Sequence, residues 1–310
     1  MVESFKGDFE ELAHVVNQSW AQNQQGSLLY SESFLQSALQ QPGASLDLCP
    51  AVYEDGKLVA FGANFRRRVR MDDQDWDLVL DSFITVAESH KGRGLGAAIW
   101  RGLAESGQRD GADGLITMCV EGDLMNSLLP KIAERSGLHT VKALTIPYMG
   151  RPVPKDRAGR LQEADAGLLM RGAGAINEGV EFGRVWTQQE AEWQCLEREG
   201  AFGCSLGTGT ISAYGQLTAG ASPTLCGLVD DIVWGSLEAD DRKRLAGMLL
   251  ESAATAGVDL LLTPVLNYTD MTALKEVGFR KTRRTLNMYL TSWNPHFKVH
   301  ELSSAYIDVF

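Results

Sequence analysis

Apolar residues at Phe9, Leu12, Ala13, Val15, Val16 and Trp20 recur at helical spacing and predict a first helix. Phe34, Leu35, Ala38 and Leu39 predict a second, which Pro42-Gly43 stops. The pattern then turns to short apolar runs. Ala51-Val52-Tyr53, the turn Asp55-Gly56 and Leu58-Val59-Ala60-Phe61 read as a hairpin, and residues 77–86 as a further strand after a polar break at 71–75. A glycine loop at 91–97 leads into a helical pattern that ends near Arg109. A strand at 115–120, a helix at about 124–135 closed by Ser136-Gly137-Leu138, and a strand at 141–148 follow.

The second half echoes the first. Gly111-Ala112-Asp113 matches Gly257-Val258-Asp259 at an offset of 146, whereas Ser136-Gly137-Leu138 with Tyr148-Met149 matches Val277-Gly278-Phe279 with Tyr289-Leu290 at 141, so five residues are deleted in between. The reading is α/β (α+β), two tandem copies of one unit, each a mixed, mostly antiparallel sheet flanked by helices. The first copy spans 1–150, a linker 151–160, the second copy 161–292 and a C-terminal tail 293–310.

Length and charge narrow the function. A chain of 310 residues has room for two cores, and a net charge of -11 argues against a nucleic-acid surface and fits a small, cationic substrate better. The five cysteines, Cys49, Cys119, Cys195, Cys204 and Cys226, are unclustered, which predicts reduced thiols, a cytoplasmic protein and no metal centre. No run approaches the roughly 20 apolar residues of a spanning helix, and residues 1–4 do not open a signal region, so no membrane association is expected.

The chemistry concentrates at Lys91-Gly92-Arg93-Gly94-Leu95-Gly96-Ala97. Strand, glycine loop and helix in that order form an anion cradle: glycines let backbone N–H groups face a ligand, and the helix start adds partial positive charge. The loop ends Gly96-Ala97-Ala98, without the lysine and hydroxyl of a P-loop, and it follows an antiparallel strand after five intervening residues, unlike a dinucleotide fingerprint. At offset 146 its glycines fall on Glu238, Asp240 and Arg242, and the carboxylates there predict that the second copy binds no phosphate and serves as a scaffold.

The loop with its flanking elements resembles the acyl-CoA pyrophosphate loop of the GNAT superfamily of N-acetyltransferases, Arg/Gln-x-x-Gly-x-Gly/Ala, with Lys91 in place of the Arg or Gln. The resemblance covers most of residues 1–150 and, weakly, the second copy. It implies an acyltransferase with acetyl-CoA as co-substrate and the amine of a small molecule as acceptor. Ile84, Thr85 and Val86 would meet the pantetheine arm, Lys91, Gly92, Arg93, Gly94, Leu95, Gly96 and Ala97 the pyrophosphate, and Asn126 the thioester end. The tyrosine that the family often carries four residues before its Gly is Ala133 here, and Leu274 in the echo. Base candidates are Glu121, Asp123 and Asp81. The acceptor pocket is expected among the N-terminal helices and the connection at 26–30, with Trp20 and Tyr30. Arg66, Arg67, Arg68 and Arg70 read as a solvated strand edge, and the apolar tail would dock on a domain or a second subunit, leaving a homodimer open. Two alternatives stand: a CoA-binding sensor without catalysis, and a longer or carrier-bound acyl donor.

Overall fold

The computed structural model describes residues 1–20, 28–218 and 223–309. The chain divides into two compact units, 1–145 with 286–302 and 146–285 with 303–309.

In the first unit, β1 (Val2–Ser4) precedes two amphipathic helices, α1 (Phe9–Trp20) and α2 (Glu32–Leu39). Ser31 caps α2, its hydroxyl accepting from the Phe34 N–H at 3.0 Å. β2 (Pro50–Glu54) and β3 (Lys57–Met71) are joined at Asp55-Gly56, and β3 and β4 (Gln74–Val86) at Asp72-Asp73. Each turn has two residues at positive φ, which matches the twist of the strands it joins. The polar break at 71–75 is thus a tight hairpin, and β3 runs ten residues past the apolar tetrad that announced it. The unit continues with α3 (Leu95–Arg109), β5 (Gly114–Val120), α4 (Leu124–Arg135) and β6 (His139–Pro152).

The second unit repeats this order: β8 (Ala201–Leu206), β9 (Gly209–Leu217), β10 (Leu225–Val233), α7 (Ala239–Thr255), β11 (Leu260–Pro264), α8 (Thr272–Glu276) and β12 (Arg280–Ser292). Before these come α5 (Ala166–Asn177), β7 (Phe182–Val185) and α6 (Gln188–Glu192), and β13 (Ala305–Tyr306) pairs with β7.

The order along the sheet departs from chain order. In the first unit Leu286–Ser292 of β12 lies antiparallel to β5, pairing Leu286 with Val120 and Ser292 with Gly114. In the second unit Tyr148–Pro152 of β6 lies antiparallel to β11. Each unit therefore contains strand residues from the far half of the sequence, and residues 286–292, expected with the second copy, belong to the first unit. Local periodicity identifies a strand but not its neighbour.

The arginine run also resolves by strand parity. Arg66, Arg68 and Arg70 are exposed and pair with Asp110 or Asp75. Arg67 is not a solvated edge residue: it is buried, donates to the Arg66 carbonyl at 2.8 Å and to Gln41 Oε1 at 3.3 Å.

Candidate functional site

β4 and β5 run parallel and pair only through Leu78–Gly114, Val79–Leu115 and Leu80–Ile116. Beyond Leu80 the two strands separate. A bulge accompanies the separation: the β3–β4 register shifts between Phe61 and Ala63, and Phe83 stands at φ +54°. β4 keeps its pairing with β3 as far as Val86, while its other edge, residues 81–86, pairs with no strand among the described residues and leaves a gap.

The glycine loop sits above this gap. Gly92 and Gly94 have φ +80° and +79°, and a Cβ at either would meet no atom within 4 Å. Gly94 is the N-cap residue of the 15-residue α3, and no side chain caps that end. Its first N–H groups and partial positive charge therefore point at open space, as an anion site needs. A Cβ at Gly96 would lie 3.8 Å from Val86 Cγ2, which places the helix start against the end of β4.

Charge around the loop is already internally paired. Glu54 accepts from Arg93 Nη1 at 3.3 Å and lies 2.9 Å from His90 Nε2, and Lys91 pairs with Glu88. The His90 and Arg93 partners hold the Glu54 carboxyl below its ordinary range. These exposed contacts compete with an anionic ligand for the same cations. Glu54→Gln is expected to tighten CoA roughly two- to fivefold at low salt and to lose that advantage at high salt, read by calorimetric titration.

Asp81, the first residue past the last β4–β5 pair, is buried. Thr117 on β5 donates its hydroxyl to the carboxylate, and Trp100 Nε1 on α3 donates to Thr117 Oγ1 at 3.4 Å. Burial pushes the Asp81 carboxyl up to about 7, against the lowering effect of the Thr117 bond. Glu121, by contrast, is exposed in the turn between β5 and α4. Asp123, half-buried, is the N-cap residue of α4. Of the three sequence-derived acids, only Asp81 is on β4, next to its last pair with β5.

Asn126, in the first turn of α4, is a fixed residue. Its Nδ2 donates to the carbonyls of Val120 and Asp123, and its Oδ1 accepts from Asn287 Nδ2 at 2.8 Å. Tyr289 donates toward Asn126, 3.3 Å from its carbonyl. Asn287 and Tyr289 come from β12, and sequence reasoning missed them as site residues because nothing near Asn126 in the chain announces them. Ala133, at the expected tyrosine position, is buried in one apolar cluster with Cys119, Trp100 and Tyr289.

On the opposite side of β4 from α3, Tyr30 stacks edge-on with Trp20 at 5.5 Å and with Phe83 at 5.3 Å, and Asn17 clamps the Tyr30 backbone. Tyr30 is core and Trp20 half-buried. Of the connection expected to line the acceptor pocket, residues 26–27 lie outside the described residues. The Thr85 hydroxyl is buried and has no hydrogen-bond partner among the described residues.

The counterpart of the loop in the second unit, residues 237–243, is acidic and has no glycine. Glu238 is the N-cap residue of α7, and Asp240 and Asp241 occupy its first turn. The helix starts where the loop would be.

Among solved structures the chain resembles Saccharomyces cerevisiae N-myristoyltransferase with bound myristoyl-CoA, at 14% identity and TM-score 0.73 over 94% of this chain and 80% of that one. A GCN5-related N-acetyltransferase from Kribbella flavida matches at 14% identity and TM-score 0.58, over 95% of this chain and 71% of that one. The chain has the GNAT fold. No protein-family model matches the sequence, and no curated protein does. Within the GNAT fold, the first unit holds the open gap, the glycine loop and the raised carboxyl together.

Proposed function

We propose that the chain is an acyl-CoA-dependent N-acyltransferase, transferring an acetyl group to the amine of a small molecule, with the donor held by the first of two tandem GNAT units. The observation that carries this reading is the gap between β4 and β5 beneath a helix N-terminus that no side chain caps. An extended, polyanionic thioester fits both parts at once. The N–H groups of residues 91–97 take its pyrophosphate, and the open edge of Ile84, Thr85 and Val86 takes the amide groups of its arm. Asn126 fixes the end of β5 and the start of α4 around the acyl end.

Bound acyl-CoA supplies an activated carbonyl. The chain must then keep water out, orient that carbonyl and accept a proton from the incoming amine. Burial lifts the Asp81 carboxyl to about 7, into the range where it can take up a proton at neutral pH, so Asp81 is the residue assigned to proton uptake. The likeness to a structure with bound myristoyl-CoA supports a second reading in which the acyl chain is longer.

Thermal shift with CoA, acetyl-CoA and myristoyl-CoA, followed by thiol release against a panel of amines, tests these readings. The expected result is stabilisation by CoA, by about 3 kcal/mol at a hundredfold excess over the dissociation constant, and amine-dependent thiol release. Absence of any CoA-dependent shift overturns the proposal. A shift without turnover on any amine would turn the protein into a CoA sensor.

A further inference from the structure

The second unit, read from its sequence as a scaffold, has a cleft of its own. The ends of α4 and α8 correspond at an offset of 141, yet α4 has 12 residues and α8 only 5. Residues 265–271, which correspond to the first two turns of α4, form no helix, and Asn267 there stands at φ +61°. Beside this loop is a cleft of about 400 Å³, within the roughly 300–1,000 Å³ of small-molecule sites. Its floor is apolar, formed by Met149, Val265 and Phe279, and its rim is basic, formed by Lys275, Arg280 and Lys281.

The rim cations have no carboxylate partner among the described residues. Arg280 donates only to the carbonyls of Lys275 and Phe279, at 2.8 Å each. The neighbouring acids are committed elsewhere: Glu276 pairs with Lys243 at 3.6 Å, and Asp270 accepts from Thr272 at 2.7 Å. Arg151 adjoins the rim, and Arg157 is close enough to act on Arg151. Arg151 reaches the backbone at Gly278, and burial first, then the charges of Arg157 and Arg280, depress its pKa. Five cations thus gather on a chain of net charge -11. The Asp270 carboxylate acts on Lys275 alone among them, so an anion would relieve repulsion that remains among the others. An apolar floor of this size under a cationic rim selects a ligand with both properties.

We infer that this cleft binds a small anionic amphiphile, a carboxylate or sulfonate on an aromatic or short aliphatic body, at a site separate from the glycine loop. The acidic first turn of α7 excludes a second CoA from this unit's own phosphate position, so the ligand class differs from that of the first unit.

Titration of the full chain with the fluorescent sulfonate 1-anilinonaphthalene-8-sulfonate tests the inference, with octanoate and octylammonium as competitors. The expected result is one site per chain, displaced by octanoate and not by octylammonium. Lys275→Glu/Arg280→Glu should raise the dissociation constant at least tenfold, and Val265→Trp, which fills the cleft, should do the same without a charge change. The melting temperature of each variant and its CoA-dependent shift report folding and the first unit separately. Binding unchanged in both variants, or displaced equally by the two competitors, overturns the inference whether or not the chain binds CoA.

Discussion

Gly94→Glu is expected to abolish the thermal shift that CoA gives the intact chain, with the dissociation constant raised at least about a hundredfold. Two effects act together. Gly94 stands at φ +79°, where an L side chain is strained by about 1–2 kcal/mol, so the turn that presents the loop N–H groups would distort. The new carboxylate would also enter the open space reserved for the ligand, at the positive end of α3. Two like charges about 4 Å apart near a protein surface cost on the order of 4 kcal/mol, enough alone for the predicted loss. Gly96→Ala is the matched control, because its Cβ would make only an ordinary 3.8 Å contact with Val86. It should leave CoA binding within about threefold of the parent, since a helical Gly→Ala change involves well under about 1 kcal/mol. A CoA-dependent shift that survives Gly94→Glu would remove the glycine loop from the proposed site.

The second large effect is expected at Asp81. Asp81→Asn should lower turnover by about two to four orders of magnitude, the usual contribution of a positioned proton acceptor, and should flatten the rise of kcat with pH through 7. Its effect on stability has the opposite sign. An aspartate ordinarily titrates at 3.8 and burial lifts Asp81 to about 7, so the folded chain holds a proton that the unfolded chain has released. The stabilisation from that proton is complete below the ordinary pKa and is lost as pH rises through 7. The asparagine variant carries no such loss and should melt at a higher temperature than the parent at pH 8. Asp230, also lifted to about 7 by burial although Arg198 pairs with it at 2.8 Å, preserves part of the slope in the variant. A variant that is less active and less stable at pH 8 would mean that Asp81 is a structural residue.

Much of this site is visible in the sequence because its parts are local. The loop glycines, the strand before them and the helix after them lie within about thirty residues, and their spacing alone points to an anion cradle. The hairpin at Asp55-Gly56 is equally local. What escapes is what depends on strand neighbours. Arg67 looks like its flanking arginines in composition and differs from them only by facing inward. Thr117 becomes part of the site because it follows the last β4–β5 pair and its hydroxyl reaches Asp81 across the strands, which no pattern within β5 encodes. Asn287 and Tyr289 are 161 and 163 residues from Asn126, and only the insertion of β12 beside β5 brings them to it. The second unit shows the converse. Its acidic helix start is plain from the sequence, but the basic cleft beside α8 appears only when the shortened helix and the residues it leaves uncovered are seen together.

The exchange of β6 and β12 also sets an order of events during synthesis. The edge of β5 at Gly114–Val120 stays without its partner until Leu286–Ser292 has been made. An emerging chain must therefore hold a largely buried strand open along one edge for the time taken to translate about 170 further residues, on the order of ten to thirty seconds. Contacts of such sequence separation form slowly and leave an edge open to wrong pairing meanwhile. The first unit begins the chain but is among the last parts of it to finish folding, so a chain halted before residue 286 would leave the ribosome with an incomplete sheet and become a substrate for chaperones.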